Sequence, residues 1–82
     1  MTFPFIEVKW LDAKFSGEWE APDGLVEPGV CYTRGWLVEE TDEHLVLAST
    51  VGEGADEDVI GTCAIPKVMV LKRRRLKVSY GR

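Results

Sequence analysis

The apolar residues of this chain come in short β-branched and aromatic runs, each soon cut off by glycine, proline or a group of acids. That punctuation leaves no room for a long helix and predicts strands joined by turns. In residues 5–13, FIEVKWLDA, Ile6, Val8 and Trp10 alternate with Glu7, Lys9 and Leu11, the period of a half-buried strand. Pro4 fits its first position, where no ladder donor is needed. Residues 31–40 and 44–51 read as a hairpin closed by Thr41, Asp42 and Glu43, and Gly35 marks a bulge or sharp bend inside the first of these strands. Residues 52–58, GEGADED, form a solvated loop. A fourth strand follows over 59–65 and is ended by Pro66, which cannot donate to a ladder. Ile65-Pro66-Lys67 predicts a tight turn with one turn of 3₁₀ helix. A last strand spans roughly 68–80 and is expected to leave the sheet near Lys72 and project.

Between the first strand and the hairpin, residues 14–30 hold Gly17, Pro22, Gly24, Pro28 and Gly29, which exclude a long regular element. This stretch reads as an irregular flap with room for one helical turn. Phe15, Trp19 and Leu25 are expected to close one end of the molecule, and APDG (21–24) is a turn. Five short strands at this spacing imply an all-β fold. The long first loop, the hairpin and the short Pro turn before the last strand suit a five-stranded SH3-like barrel. All 82 residues form one domain, with a basic C-terminal strand and tail over 72–82. A chain this small buries about 60% of its unfolded surface, so it has little interior to give to a cleft.

Charge divides the chain. Residues 1–66 carry all 14 acids and 3 bases; residues 67–82 carry 7 bases and no acid. Such polarity suits a basic partner on one side, an acidic one on the other, or head-to-tail self-association. The N-terminus lacks the basic and apolar regions of a signal peptide, and no apolar run is long enough to span a bilayer, so a cytoplasmic protein without membrane contact is expected. Cys31 and Cys63 lack metal-ligand spacing and read as buried thiols. Neither a metal site, nor a cofactor, nor a catalytic arrangement around the single histidine, His44, is recognisable, so the chain reads as a binding protein and not an enzyme.

VKWLDA (8–13), GWLVEETDEHLVLAST (35–50) and IPKVMV (65–70) resemble a family of small uncharacterised proteins of bacteriophages and prophages. The resemblance covers most of residues 5–71. It implies a phage origin, the cytosol of a bacterial host and a small barrel, and it carries no assigned activity. The basic continuation LKRRRLKVSYGR departs from the family pattern.

Three surfaces are candidates. The preferred reading is a non-catalytic phage protein that contacts a host or anti-phage defence factor, or another copy of itself, through Trp19 and the acids Glu39, Glu40, Asp42, Glu43, Asp56, Glu57 and Asp58. The plainer reading of these acids is a solubilising surface. The alternative is a nucleic-acid-binding Sm- or SH3-like module using Lys72, Arg73, Arg74, Arg75 and Lys77, with Tyr80 for base stacking. Its plainer counterpart is an edge strand guarded by charge. A third reading is a small-ligand, nucleotide-sequestering protein with pockets between subunits.

Overall fold

The computed structural model describes residues 3–79. They form β1 (Phe5–Asp12), β2 (Gly29–Glu40), β3 (His44–Val51), β4 (Val59–Pro66), a 3₁₀ turn (Lys67–Met69) and β5 (Val70–Arg75). All five strands join one antiparallel sheet in the order β4-β3-β2-β1-β5. Among the described residues, β4 and β5 are the two edges of this sheet and are not hydrogen-bonded to each other, so the ladder is open.

The shape of the sheet follows from β2. Its first part, Gly29 to Trp36, pairs with β1, and its last part, Trp36 to Glu40, pairs with β3. The strand thus belongs to two half-sheets that share one residue position. Gly35 stands at the crossing and is buried. A Cβ there would lie 2.8 Å from the Ala48 carbonyl oxygen and 3.2 Å from the Leu47 Cβ, so only glycine lets the strands approach so closely. The register slips at Val38, between Leu37 and Glu39, which adds to the bend.

Ile6 and Val8 from β1 meet Leu45, Leu47 and Ile65 from β3 and β4 in one core cluster. Trp10, Leu37, Cys63 and Val70 pack at its margin. The Trp10 indole is only half-buried, and its Nε1 donates to Thr33 Oγ1 at 2.9 Å, which satisfies its polar end. On the other face Phe5 and Trp36 stand directly opposite each other, with ring centres 5.0 Å apart. The hairpin turn is held by Thr41, whose Oγ1 accepts from the amides of Glu43 and His44, both at 3.1 Å. Gly61 adopts φ +69° on β4, where a Cβ would run into Ser49.

The strands match the sequence pattern closely, with three departures. The flap does not close an end of the molecule: residues 13–28 contain no helix or strand, and Phe15, Trp19 and Leu25 are exposed. The APDG turn within it forms, with Gly24 N–H bonded to the Ala21 carbonyl at 2.9 Å. Glu18 and Glu20 flank Trp19, so seating that indole in the interior would pull two carboxylates out of water. The last strand does not project at Lys72; it stays paired to β1 through Arg75. Both cysteines are free thiols and only half-buried.

Gly35→Ala should cost about 1–3 kcal/mol, because the added methyl group meets backbone and not a movable side chain. Urea unfolding should show a lower midpoint with an unchanged slope.

Candidate functional site

Three surfaces bring chemistry-bearing residues together, and strand register decides which. On the face of β2–β1–β5 opposite the core, Arg34, Glu7 and Arg74 lie side by side on adjacent strands. Glu7 is the one charged residue buried among those described, at 8% exposure. Arg34 Nε donates to Glu7 Oε2 at 2.7 Å, and Arg74 Nε donates to Oε1 at 3.0 Å. Each carboxylate oxygen therefore receives one charge-assisted hydrogen bond. The Arg34 bond leads, and with that of Arg74 it holds the Glu7 carboxyl below its ordinary pKa against the opposing effect of burial.

The next row holds Tyr32, Lys9 and Lys72, again side by side. The Lys9 ammonium sits 5.8 Å from the centre of the Tyr32 ring. Lys9 and Lys72 face each other across β1 and β5 with like charge, an arrangement that disfavours pairing. These two rows line a shallow depression of about 320 Å³ formed by Glu7, Lys9, Tyr32, Lys72, Arg73 and Arg74.

The second surface is the rim of the core face. Arg73 grips Glu40 with two parallel bonds, Nη1 to Oε1 and Nη2 to Oε2, both 3.2 Å. Lys67 Nζ reaches Glu40 Oε2 at 2.9 Å. The contact ties β5 and the 3₁₀ turn to the far end of β2, across the open side of the sheet. The Lys67 bond, then that of Arg73, holds the Glu40 carboxyl below its ordinary pKa.

The third surface is the arm, residues 13–28. Trp19 is fully exposed and Phe15 is 92% exposed. Between Lys14 and Pro28 the arm carries Glu18, Glu20, Asp23 and Glu27. An apolar hollow of about 340 Å³ lies at its base, lined by Trp10, Leu11, Ala13, Pro28, Pro66 and Met69. The arm's exposed aromatics do not line it.

The candidate residues are thus regrouped. Lys72 and Arg74 point to the outer face, whereas Arg73 and Arg75 share the face of Val8 and Ile6, so the basic run is not one surface. Arg73 and Arg74 are already paired with Glu40 and Glu7. Lys77 is exposed beyond β5, and Tyr80 lies outside the described residues. The acids do not form one patch either. Glu39, Glu40, Asp42 and Glu43 lie at the start of β3, while Asp56, Glu57 and Asp58 lie beyond its end. Glu40 is committed to an internal network, and Glu39 approaches His44 Nε2 at 3.8 Å. Glu57 holds a left-handed φ of 40° in its loop. Trp19 alone among the partner candidates combines full exposure with a large apolar surface. The role of Glu7 was not foreseen. Its position in the alternation of β1 puts it on the face opposite Ile6 and Val8, but both arginines reach it only through the register of distant strands, for which the sequence carries no local signal.

Among the described residues, no group of three or more His, Cys, Asp or Glu is placed to hold a metal ion, and no helix is long and apolar enough to cross a membrane. Comparison of the chain with protein-family models, with curated proteins and with solved structures found no match.

Glu7 and Glu40 make acid sensitivity predictable. Both carboxyls lie below 4.5 in the folded chain, so their contribution is complete above that value and is lost as pH falls through the folded-state values. Thermal midpoints measured from neutral pH downward should fall below pH 4.5. Glu7→Gln and Glu40→Gln should each lower the neutral-pH midpoint and flatten that acid limb.

Proposed function

We propose that this chain is a non-catalytic, protein-binding module of SH3-like build, encoded by a phage, whose acidic arm docks on a basic surface of a host or defence protein. The strand order, the bend shared by β1 and β3 partners in β2 and the 3₁₀ turn before β5 support the SH3-like build. The observation that carries the function is the state of Trp19. A fully exposed indole, between two glutamates on an arm with no regular structure, presents a large rigid apolar anchor with like charge around it. Aromatic anchors of this kind dominate binding energies, and the flanking acids select a cationic partner. The phage origin rests on the resemblance of VKWLDA, GWLVEETD and IPK to phage proteins, and a bacterial cytosol follows from it.

A second reading is favoured by the Lys9–Lys72 opposition beside Tyr32. Two like charges held at one register are relieved by an anion, and a neighbouring phenol ring offers a stacking platform for a base. This is the single-stranded nucleic-acid alternative, confined to the outer face of β1, β2 and β5.

Trp19→Ala should leave the thermal midpoint unchanged, because the side chain touches little of the fold. It should weaken capture of the cationic partner about thirtyfold, the loss expected of an anchor contributing about 2 kcal/mol. Equal retention of the same host protein by immobilised wild-type and Trp19→Ala chains would exclude the arm. For the second reading, polyuridylate binding should weaken with salt. Lys9→Ala combined with Lys72→Ala should flatten the log–log slope by about 1.4. No retardation at low salt would exclude it.

A further inference from the structure

The two edges of the sheet differ in a way that fits one to the other. β4 is exposed over most of its eight residues and holds no charged side chain between Val59 and Pro66. It has none of the lysines or inward charges with which solitary edges are protected, and its outer backbone groups have no ladder partner. Ile60 is 69% exposed on it. β5, the other edge, is exposed from Leu71 to Arg75 and carries four consecutive cations. That charge forbids β5 from pairing with another β5 and leaves a neutral edge as its best partner.

The flanking charges fix the direction. The loop before β4 holds Glu53, Asp56, Glu57 and Asp58, and no ion pair engages them among the described residues. At the end of the paired part of β5 and just beyond it, Arg75 and Lys77 likewise have no carboxylate partner among the described residues. An antiparallel pairing sets the start of one strand against the end of the other. The acidic loop of one copy then meets Arg75 and Lys77 of the next. A parallel pairing would instead set Lys67, just past β4, near that same basic end.

We infer that the partner of each edge is a second copy of this chain, joined head to tail by an antiparallel β4–β5 ladder with the 53–58 loop against Arg75 and Lys77. Each joined pair then keeps one free β4 and one free β5 to continue the contact. Such a heterologous interface closes into a ring or grows as a filament, according to the rotation between neighbours. It completes the backbone hydrogen bonding that the monomer leaves open and shields Ile60. It uses neither the arm nor Lys9, although Lys72 lies on the β5 strand itself.

Size-exclusion chromatography with light scattering tests this on the full chain. The wild type should give a mass several times 9.2 kDa. Ile60→Lys should return it to the monomer. Asp56→Lys with Asp58→Lys should do the same, as should Arg75→Glu with Lys77→Glu. An equimolar mixture of the two charge-reversed chains should reassemble, because every junction then joins opposite charges, and this recovery also shows that both variants are folded. Trp19→Ala should assemble like the wild type, so failure of the arm and failure of the edge contact are read separately. A wild-type monomer at every accessible concentration would overturn the inference. So would an assembly limited to a dimer, or one indifferent to the Arg75 and Lys77 reversal.

Discussion

The structure depends on the bend of β2 at Gly35. One strand serves two half-sheets only because its backbone comes against the Ala48 carbonyl without a side chain between them. The turn of the sheet that results brings Ile6 and Val8 over Leu45, Leu47 and Ile65. Without it the same strands would form a flat ribbon with apolar residues exposed on one side and no opposing layer to bury them. The Val38 register slip lies on the same strand three residues later, so the sharpest deformation of the sheet is confined to one short segment.

The charges are placed by the same geometry. β1 lies between β2 and β5, so the outward residues Glu7 and Lys9 each have a cross-strand neighbour on both sides. Glu7 uses both, and its burial is tolerable because each oxygen is met by a guanidinium whose other side remains in water. Glu40 does the equivalent work on the open side, where no ladder connects β5 to β2. These two carboxylates absorb Arg34, Arg74, Arg73 and Lys67. Among the described residues the formal asymmetry is thereby reduced to a smaller set of unneutralised groups: Lys9 and Lys72 outside, Lys14 on the arm, Arg75 and Lys77 at the β5 end, and acids on the arm and loops. The proposed surface contacts rest on this remainder and not on the total charge.

The strand positions were legible because period-two alternation and Gly/Pro punctuation are local signals. The hairpin turn at 41–43, the end of β4 at Pro66 and the 3₁₀ turn after it all follow from residues within a few positions of one another. Gly35 also signalled a corner, although the contact that requires glycine lies on another strand. What could not be read was anything set by register between distant segments. KRRR looks like one basic patch in a linear chain, but a pleated strand deals its members to opposite faces, and their acids sit 33 and 67 positions away. The acids at 39–43 and 56–58 sit at two separate loops, and the length of β3, about 27 Å at strand rise, keeps them from forming one patch. Phe15 and Trp19 look like core residues by composition. Their glutamate neighbours were the contrary signal, since burying the rings would strand those charges.

A chain of this size has one small core and little interior to give to a pocket, so the proposed recognition falls to the periphery. The periphery here consists of an acidic aromatic arm, a lysine pair beside a tyrosine, and two unlike sheet edges. The arm lies apart from both edges, so the edges can be filled while the arm remains uncovered. Repetition would then change the physics of binding without adding a contact. Several arms presented on one assembly would engage a multivalent target at high effective concentration, so weak individual contacts through Trp19 would sum to strong retention. A module too small to build a deep site would gain avidity by this route, and the open ladder between β4 and β5 is the feature that would make it available.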